Sequence, residues 1–107
     1  MTYRVYLTQE AQKDLLDIHE YVAGHDDPQK ADALLAHLQD TCAELTRFPF
    51  RGHAPPELKR VGVELYRELH YKPYRVIYEI VQKKVFVHAI LDGRRDLRSL
   101  LERRLVR

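Results

Sequence analysis

The chain has 107 residues, of which 45% are hydrophobic and 32% charged, and its formal net charge is +2. This composition is too apolar for a disordered chain, and no apolar run approaches the roughly 20 residues that cross a bilayer. The single cysteine, Cys42, cannot form an internal disulfide, which favours a reducing cytoplasm. We therefore expect one domain over residues 1–107, with no signal peptide and no membrane contact. Secreted disulfide scaffolds, membrane proteins and zinc fingers are excluded.

The charge is divided unevenly along the chain. Residues 1–53 hold five basic and nine acidic residues, a net charge of −4, whereas residues 54–107 hold thirteen and seven, a net charge of +6. A basic half suits an anionic partner, which could be nucleic acid or an acidic protein segment. The alternative is a solvated helical half followed by a sheet fringed with arginines.

The first half predicts a strand and two helices. Residues 3–7 alternate and favour a strand, after which Thr8 is a candidate N-cap for a helix that ends near Gly24. A second helix should begin at Pro28, directly after an acidic cap residue, and end near residues 47–48, just before Pro49. Its apolar stripe includes Cys42, which we interpret as a packed core thiol.

The second half predicts an irregular loop, three strands and a terminal helix. The loop covers residues 48–60, the strands residues 63–71, 74–81 and 85–91, and the helix residues 97–105. The last two strands carry apolar residues on both faces, so both faces of the sheet should be covered. The order β-α-α-β-β-β-α predicts an α+β domain in which a helical hairpin packs on a small, mainly antiparallel sheet.

Familiar cofactor and metal motifs are missing from the sequence. It contains no phosphate-binding loop, dinucleotide turn or HExxH motif, and its six histidines share no short metal-ligand spacing. We therefore predict neither a cofactor nor a metal site.

A set of polar residues on the predicted strands could cleave a phosphodiester bond. This reaction needs a base, an acid and cations for the developing phosphorane charge, and the planar guanidinium of arginine matches phosphate oxygens. The candidates are Arg75 and Arg95 as cations, with Glu68, His70 and His88 as base or acid.

These residues also have purely structural interpretations. The two arginines could pair with Glu79, Asp92 or Asp96 at the edge of the sheet, and His88 could be a satisfied, half-buried histidine. Asp96 is itself a good N-cap for the terminal helix. The adjacent arginines of the turn at residues 93–96 are harder to explain by folding alone.

Six short stretches follow one another in a recognisable order: residues 3–5 (YRV), 10–15 (EAQKDL), 18–22 (IHEYV), 48–52 (FPFRG), 74–78 (YRVIY) and 93–97 (GRRDL). Together they resemble the RelE/ParE superfamily of toxins from type II toxin–antitoxin systems, over nearly the whole chain. The resemblance implies a growth inhibitor that a cognate antitoxin neutralises within a hetero-oligomeric complex. It also suggests that the antitoxin covers the second face of the sheet.

The superfamily has two branches with different targets. RelE-like members are ribosome-dependent mRNA endonucleases, and Arg75 and Arg95 stand where that branch stabilises phosphate. However, Leu101 stands at the position of the RelE tyrosine, and the strand that is rich in lysine in RelE has Arg-Glu-Leu-His at residues 67–70. ParE-like members inhibit DNA gyrase without catalytic residues, and the long helical hairpin and the FPFRG loop favour this branch.

The resemblance therefore implies three groups of site residues. A catalytic group applies only to a RelE-like protein and consists of Arg75, Arg95, His88, Glu68 and His70. Contacts with the target or with nucleic acid are expected from Arg51, Arg67, Arg94 and Arg98, and contacts with the antitoxin from Leu97, Leu101 and Arg98.

Overall fold

The computed structural model describes residues 2–105 and contains the predicted elements in the predicted order. The α+β fold is thereby confirmed. Its strands are β1 (Arg4–Leu7), β2 (Tyr66–Tyr71), β3 (Tyr74–Val81) and β4 (Lys84–Asp92), and its helices are α1 (Gln9–His25), α2 (Pro28–Ala43), α3 (Pro56–Lys59) and α4 (Leu97–Leu105).

The strands form one mixed sheet in the order β1-β4-β3-β2. β1 runs parallel to β4, while β4, β3 and β2 are antiparallel neighbours. The sheet is therefore mainly antiparallel, as predicted. Over residues 2–105, no helix combines the length and the apolar character needed to cross a membrane.

Helices α1 and α2 form the predicted hairpin, and their first turns are capped as expected. The Thr8 hydroxyl accepts the Ala11 N–H at 3.2 Å, and the Asp27 carboxylate accepts the Gln29 N–H at 2.8 Å. α1 ends at His25, one residue beyond the predicted Gly24, and closes with the Asp26 N–H on the Val22 carbonyl.

The end of α2, the loop after it and the start of β2 also differ from the prediction. α2 ends at Ala43, and a 3-10 turn over Glu44–Thr46 carries the chain toward Pro49. The loop contains the unpredicted helix α3, which begins at a proline, a residue well suited to a first helical position. β2 starts at Tyr66 because the Val63 N–H closes a turn onto the Leu58 carbonyl.

Apolar clusters cover both faces of the sheet. On the hairpin face, α1 and α2 pack against β3 and β4. On the opposite face, which we call the α4 face, α3 and α4 supply the cover. The chain thus covers its own second face with α3 and α4, without needing a partner to bury this cluster. Fully buried members of the α4-face cluster are Leu58, Ile77, Ala89 and Leu101.

The β4 edge beyond β1 is closed by two side chains. β1 pairs with β4 only as far as Val87. Farther along, Asp14 of α1 accepts the Ile90 N–H at 2.9 Å, and Arg104 of α4 donates to the His88 carbonyl at 2.7 Å. Arg104 also pairs with Asp14 at 3.0 Å. This Asp14–Arg104 clasp joins the first helix to the last across the strand edge.

Candidate functional site

Strands β2 and β3 bring the polar candidates together on the α4 face. Tyr66 and Ile77 belong to the cluster on this face, so the alternation of a strand places Glu68, His70 and Arg75 on the same side. The register sets His70 opposite Arg75. The spacing of Glu68 and His70, two residues apart on one strand, was visible in the sequence.

Tyr78 fixes the loop that completes the site. Its buried hydroxyl donates to the Pro49 carbonyl at 2.7 Å and accepts the Gly52 N–H at 3.1 Å. A Cβ at Gly52 would lie 2.5 Å from that hydroxyl, so only glycine fits there. The next residue, His53, then forms an isolated bridge with Glu68, in which each N–H donates to the other's carbonyl, at 3.2 and 2.7 Å.

Arg75 is held between two carboxylates. Its Nε and one Nη donate to the two Glu68 oxygens at 2.6 and 2.9 Å, and both Nη atoms donate to Glu57 at 2.6 and 2.8 Å. These bonds raise the pKa of Arg75, and the bonds from Arg75 hold the pKa of Glu57 below its ordinary value. The aliphatic part of Arg75 packs on Gly93, where a Cβ would lie 2.9 Å from Cδ.

His53 and His70 flank the Glu68 carboxylate, whose residue is only 1% exposed. His70 Nε2 lies 3.0 Å from Glu68 Oε1, and His53 Nε2 lies 3.5 Å from Glu68 Oε2. The two imidazole rings meet edge to face, with centroids 5.3 Å apart. Sequence reasoning missed His53 and Glu57, because nothing in the loop sequence indicated that both would reach β2 and β3.

His88 lies in a separate polar group. The register of β3 and β4 shifts between Ile77 and Tyr78, which leaves His88 without an opposite residue. Its Nε2 lies 2.7 Å from Glu79 Oε1, and its ring meets Tyr66 edge to face. No hydrogen bond or ion pair joins His88 to Glu68, His70 or Arg75 within residues 2–105.

Arg95 does not meet Arg75. It lines a cleft of about 500 Å³ between the turn after β4 and α1, together with Tyr21 and Tyr74. Tyr74 belongs to the hairpin-face cluster, so this cleft opens on the side of the sheet away from Arg75. Arg94, also at the cleft, is occupied by a bidentate pair with Asp92, whose pKa falls below its ordinary value as a result.

The remaining candidates are exposed or half-buried arginines and buried leucines. Arg98 is exposed and pairs only at 3.5 Å with Glu102, whereas Arg51 pairs with Glu44. Arg67 donates to the Gly52 carbonyl at 2.7 Å and lies over the Phe50 ring. Leu97 and Leu101 are 2% and 0% exposed. They therefore serve the chain's own core, and a partner resting on the outside of α4 would contact Arg98 instead.

Comparisons with known proteins agree with the fold and with the short motifs. A sequence profile described as "ParE toxin of type II toxin-antitoxin system, parDE" matches residues 5–97. The solved structure of a chromosomal ParDE toxin–antitoxin system from P. aeruginosa superposes with a TM-score of 0.68 at 19% identity, covering 83% of this chain and 94% of that one. The RelBE2 toxin–antitoxin complex from Mycobacterium tuberculosis gives 0.61 at 22% identity, covering 84% and 96%. The comparison with curated proteins gave no significant match.

Proposed function

Because the chain belongs to the ParE toxin family of type II toxin–antitoxin systems, we propose that it arrests bacterial growth by binding and inhibiting DNA gyrase. It catalyses no reaction of its own, and a cognate antitoxin neutralises it in a hetero-oligomeric complex. Its site of action is the cytoplasm, where the free Cys42 thiol persists.

The pairing of Arg75 is the observation that carries the non-enzymatic part of this proposal. A phosphorane would need the guanidinium of Arg75, but all three of its nitrogens already donate to Glu57 and Glu68. Two carboxylates beside this cation would repel a phosphate. The second candidate cation, Arg95, lines a cleft on the other side of the sheet. Of the candidate nuclease residues, Arg75 and Glu68 are already paired with each other, and Arg95 lies apart from both.

The cleft between α1 and the turn after β4 supports a binding role. It joins the two regions that we expect to contact the target, the exposed surface of the hairpin and the basic segment before α4. Tyr21 is 64% exposed at its rim, and Arg94 and Arg95 are exposed on the opposite side. An aromatic ring beside exposed arginines is a composition typical of protein interfaces.

A parallel assay tests this function against the endonuclease alternative. Purified protein is added to gyrase with relaxed plasmid, and separately to a translating extract in which mRNA integrity is followed. We expect loss of supercoiling with intact messages. Cleaved messages and unaffected supercoiling would instead make the protein an mRNA endonuclease.

Two variants sharpen this assay. Arg95→Ala and Arg98→Ala together should weaken gyrase inhibition. Lys59→Ala with Lys84→Ala, two exposed lysines outside the hairpin and the terminal segment, should leave it unchanged. If both double variants inhibit gyrase equally well, the terminal segment does not contact gyrase.

The antitoxin interface should depend on charge. We propose that an acidic, amphipathic antitoxin segment meets the basic second half of the chain, including Arg98 on the outside of α4. Its affinity should then fall as the salt concentration rises, because exposed charges are screened over about 10 Å at 0.1 M ionic strength. Affinity that does not change between 50 and 500 mM salt, about a threefold change in screening length, would assign the interface to apolar contacts.

A further inference from the structure

We propose that His53, Glu68 and His70 bind a divalent transition-metal ion, with Zn²⁺ as the preferred occupant. The ligand atoms of these three residues all lie within 4.8 Å of one another. Two imidazole nitrogens and one carboxylate oxygen form a donor set that suits Zn²⁺ and its neighbours in the first transition row. No short sequence spacing indicates this set, because the bridge between His53 and Glu68 joins the loop to β2.

The three side chains lie close enough together to form a tetrahedral site after small rotations. Zn–N and Zn–O bonds of about 2.0–2.1 Å place neighbouring ligand atoms about 3.3 Å apart. His70 Nε2 lies 3.0 Å from Glu68 Oε1 and His53 Nε2 lies 3.5 Å from Glu68 Oε2, so each histidine approaches a different carboxylate oxygen. The remaining separation is no greater than 4.8 Å, so side-chain rotations of the two histidines suffice to close the site.

Glu68 is anchored as a metal-binding carboxylate should be. Arg75 donates to each of its oxygens, and a carboxylate oxygen retains a second lone pair when one is used. Each of these oxygens also has a histidine nitrogen within 3.5 Å. Ligating carboxylates are commonly oriented by such outer hydrogen bonds, and Arg75 supplies them here.

The local charge also permits a dication. Arg75 is neutralised by Glu57 as well as by Glu68, so these three residues together carry a net charge of −1. The histidine side chains are 63% and 44% exposed, whereas Glu68 is buried. The ion can therefore enter from solvent on the histidine side, and the same side leaves a coordination position open to water.

Titration of the full-length, tag-free protein with Zn²⁺ tests this site. We expect saturable binding of one ion per chain by calorimetry, a higher melting temperature with Zn²⁺, and a tetrahedral visible spectrum when Co²⁺ replaces it. Single changes His53→Ala and His70→Ala should each weaken binding at least about tenfold, since even changes to outer-shell partners cost 10–100-fold.

A matched control separates this site from nonspecific binding to histidines. His25→Ala with His37→Ala also removes two exposed imidazoles, from the hairpin, and should leave the Zn²⁺ affinity unchanged. His53→Ala with His70→Ala should abolish saturable binding while circular dichroism shows a retained fold. Absence of saturable binding to the wild type, or equal binding by the two double variants, would overturn the proposal and leave the three residues as a hydrogen-bonded group.

Discussion

The hairpin face of the sheet is closed by apolar side chains from two long helices, whereas the α4 face buries a charged group beside its apolar cluster. Leu38 of α2 and Tyr78 of β3 are fully buried on the first face. On the second face, Glu68 is almost as deeply buried, but its carboxylate is charged and is neutralised by Arg75. Arg75 is also paired with Glu57. The hairpin face is thus stabilised by area removed from water, while part of the α4 face depends on exact pairing. The difference predicts how each face responds to substitution, and to acid.

The largest effect is expected where the pairing is broken. Arg75→Met should cost about 3–5 kcal/mol of the free energy of unfolding, because it leaves the Glu68 carboxylate buried without its cation. Urea unfolding measures this loss. The triple variant Glu57→Gln, Glu68→Gln, Arg75→Met should recover much of the stability, since no uncompensated charge remains. A cost below about 1 kcal/mol for Arg75→Met would show that water reaches Glu68 freely.

The matching test on the hairpin face removes volume instead of charge. Leu38→Ala should cost about 3 kcal/mol, because it opens a cavity at a residue that is 0% exposed. We expect this loss to be the same in low and high salt when it is measured by urea unfolding. A salt-dependent loss would mean that the charged group and the hairpin core are coupled across the sheet. The exposed Leu16→Ala, on the same hairpin, serves as the control and should change stability by less than about 0.5 kcal/mol.

A smaller effect is expected at the edge that both faces share. Asp14→Ala should cost about 1–3 kcal/mol, because the Ile90 N–H and the Arg104 guanidinium both lose an acceptor. Amide hydrogen exchange should accelerate at Ile90 more than at Val85, which lies where β1 still covers β4. The neighbouring exposed Asp17→Ala should leave both the stability and the exchange unchanged.

Acid should weaken the α4 face through Glu57, with the smallest effect of the four. Arg75 lowers the pKa of Glu57 below its ordinary value, so the stability that this pair contributes is fully present above that ordinary value. The contribution is lost as the pH falls through the lowered pKa of the folded state. Glu57→Gln should therefore flatten the decline in stability below pH 4.5, the ordinary value for glutamate. If the stability of the wild type and of Glu57→Gln falls in parallel as the pH is lowered, the ion pair with Glu57 does not contribute to stability.

The hairpin face was largely predictable from the sequence, and the reason is local. Apolar residues at helical spacing, the Thr8 cap and the proline at residue 28 all act within a few residues, so α1 and α2 follow from the sequence to within a few positions. The ends of these helices were predicted less accurately, because the residues there are compatible with more than one end point. Gly24 permits a left-handed end but does not require one, and α1 continues for one more residue.

The charged group on the α4 face was only half predictable. Glu68, His70 and Arg75 were placed on successive strands, because their strands are marked by apolar residues and by the turn at Pro73. Their partners were not, since His53 and Glu57 lie in a loop whose path depends on the Tyr78 hydroxyl and on the close approach at Gly52. Long-range packing of this kind leaves no periodic signal. Arg75, which the sequence offered as a phosphate-binding cation, is therefore paired with two carboxylates instead.

The Asp14–Arg104 clasp also bears on how copies of the chain behave toward each other. An open strand edge offers backbone donors and acceptors to any other strand, and such edges promote aggregation. Here the half of β4 that β1 does not pair with has its Ile90 donor and its His88 acceptor occupied by side chains from opposite ends of the chain. Proteolysis within α4 would remove Arg104 and uncover this edge. The last helix thus protects the protein from sheet-to-sheet association.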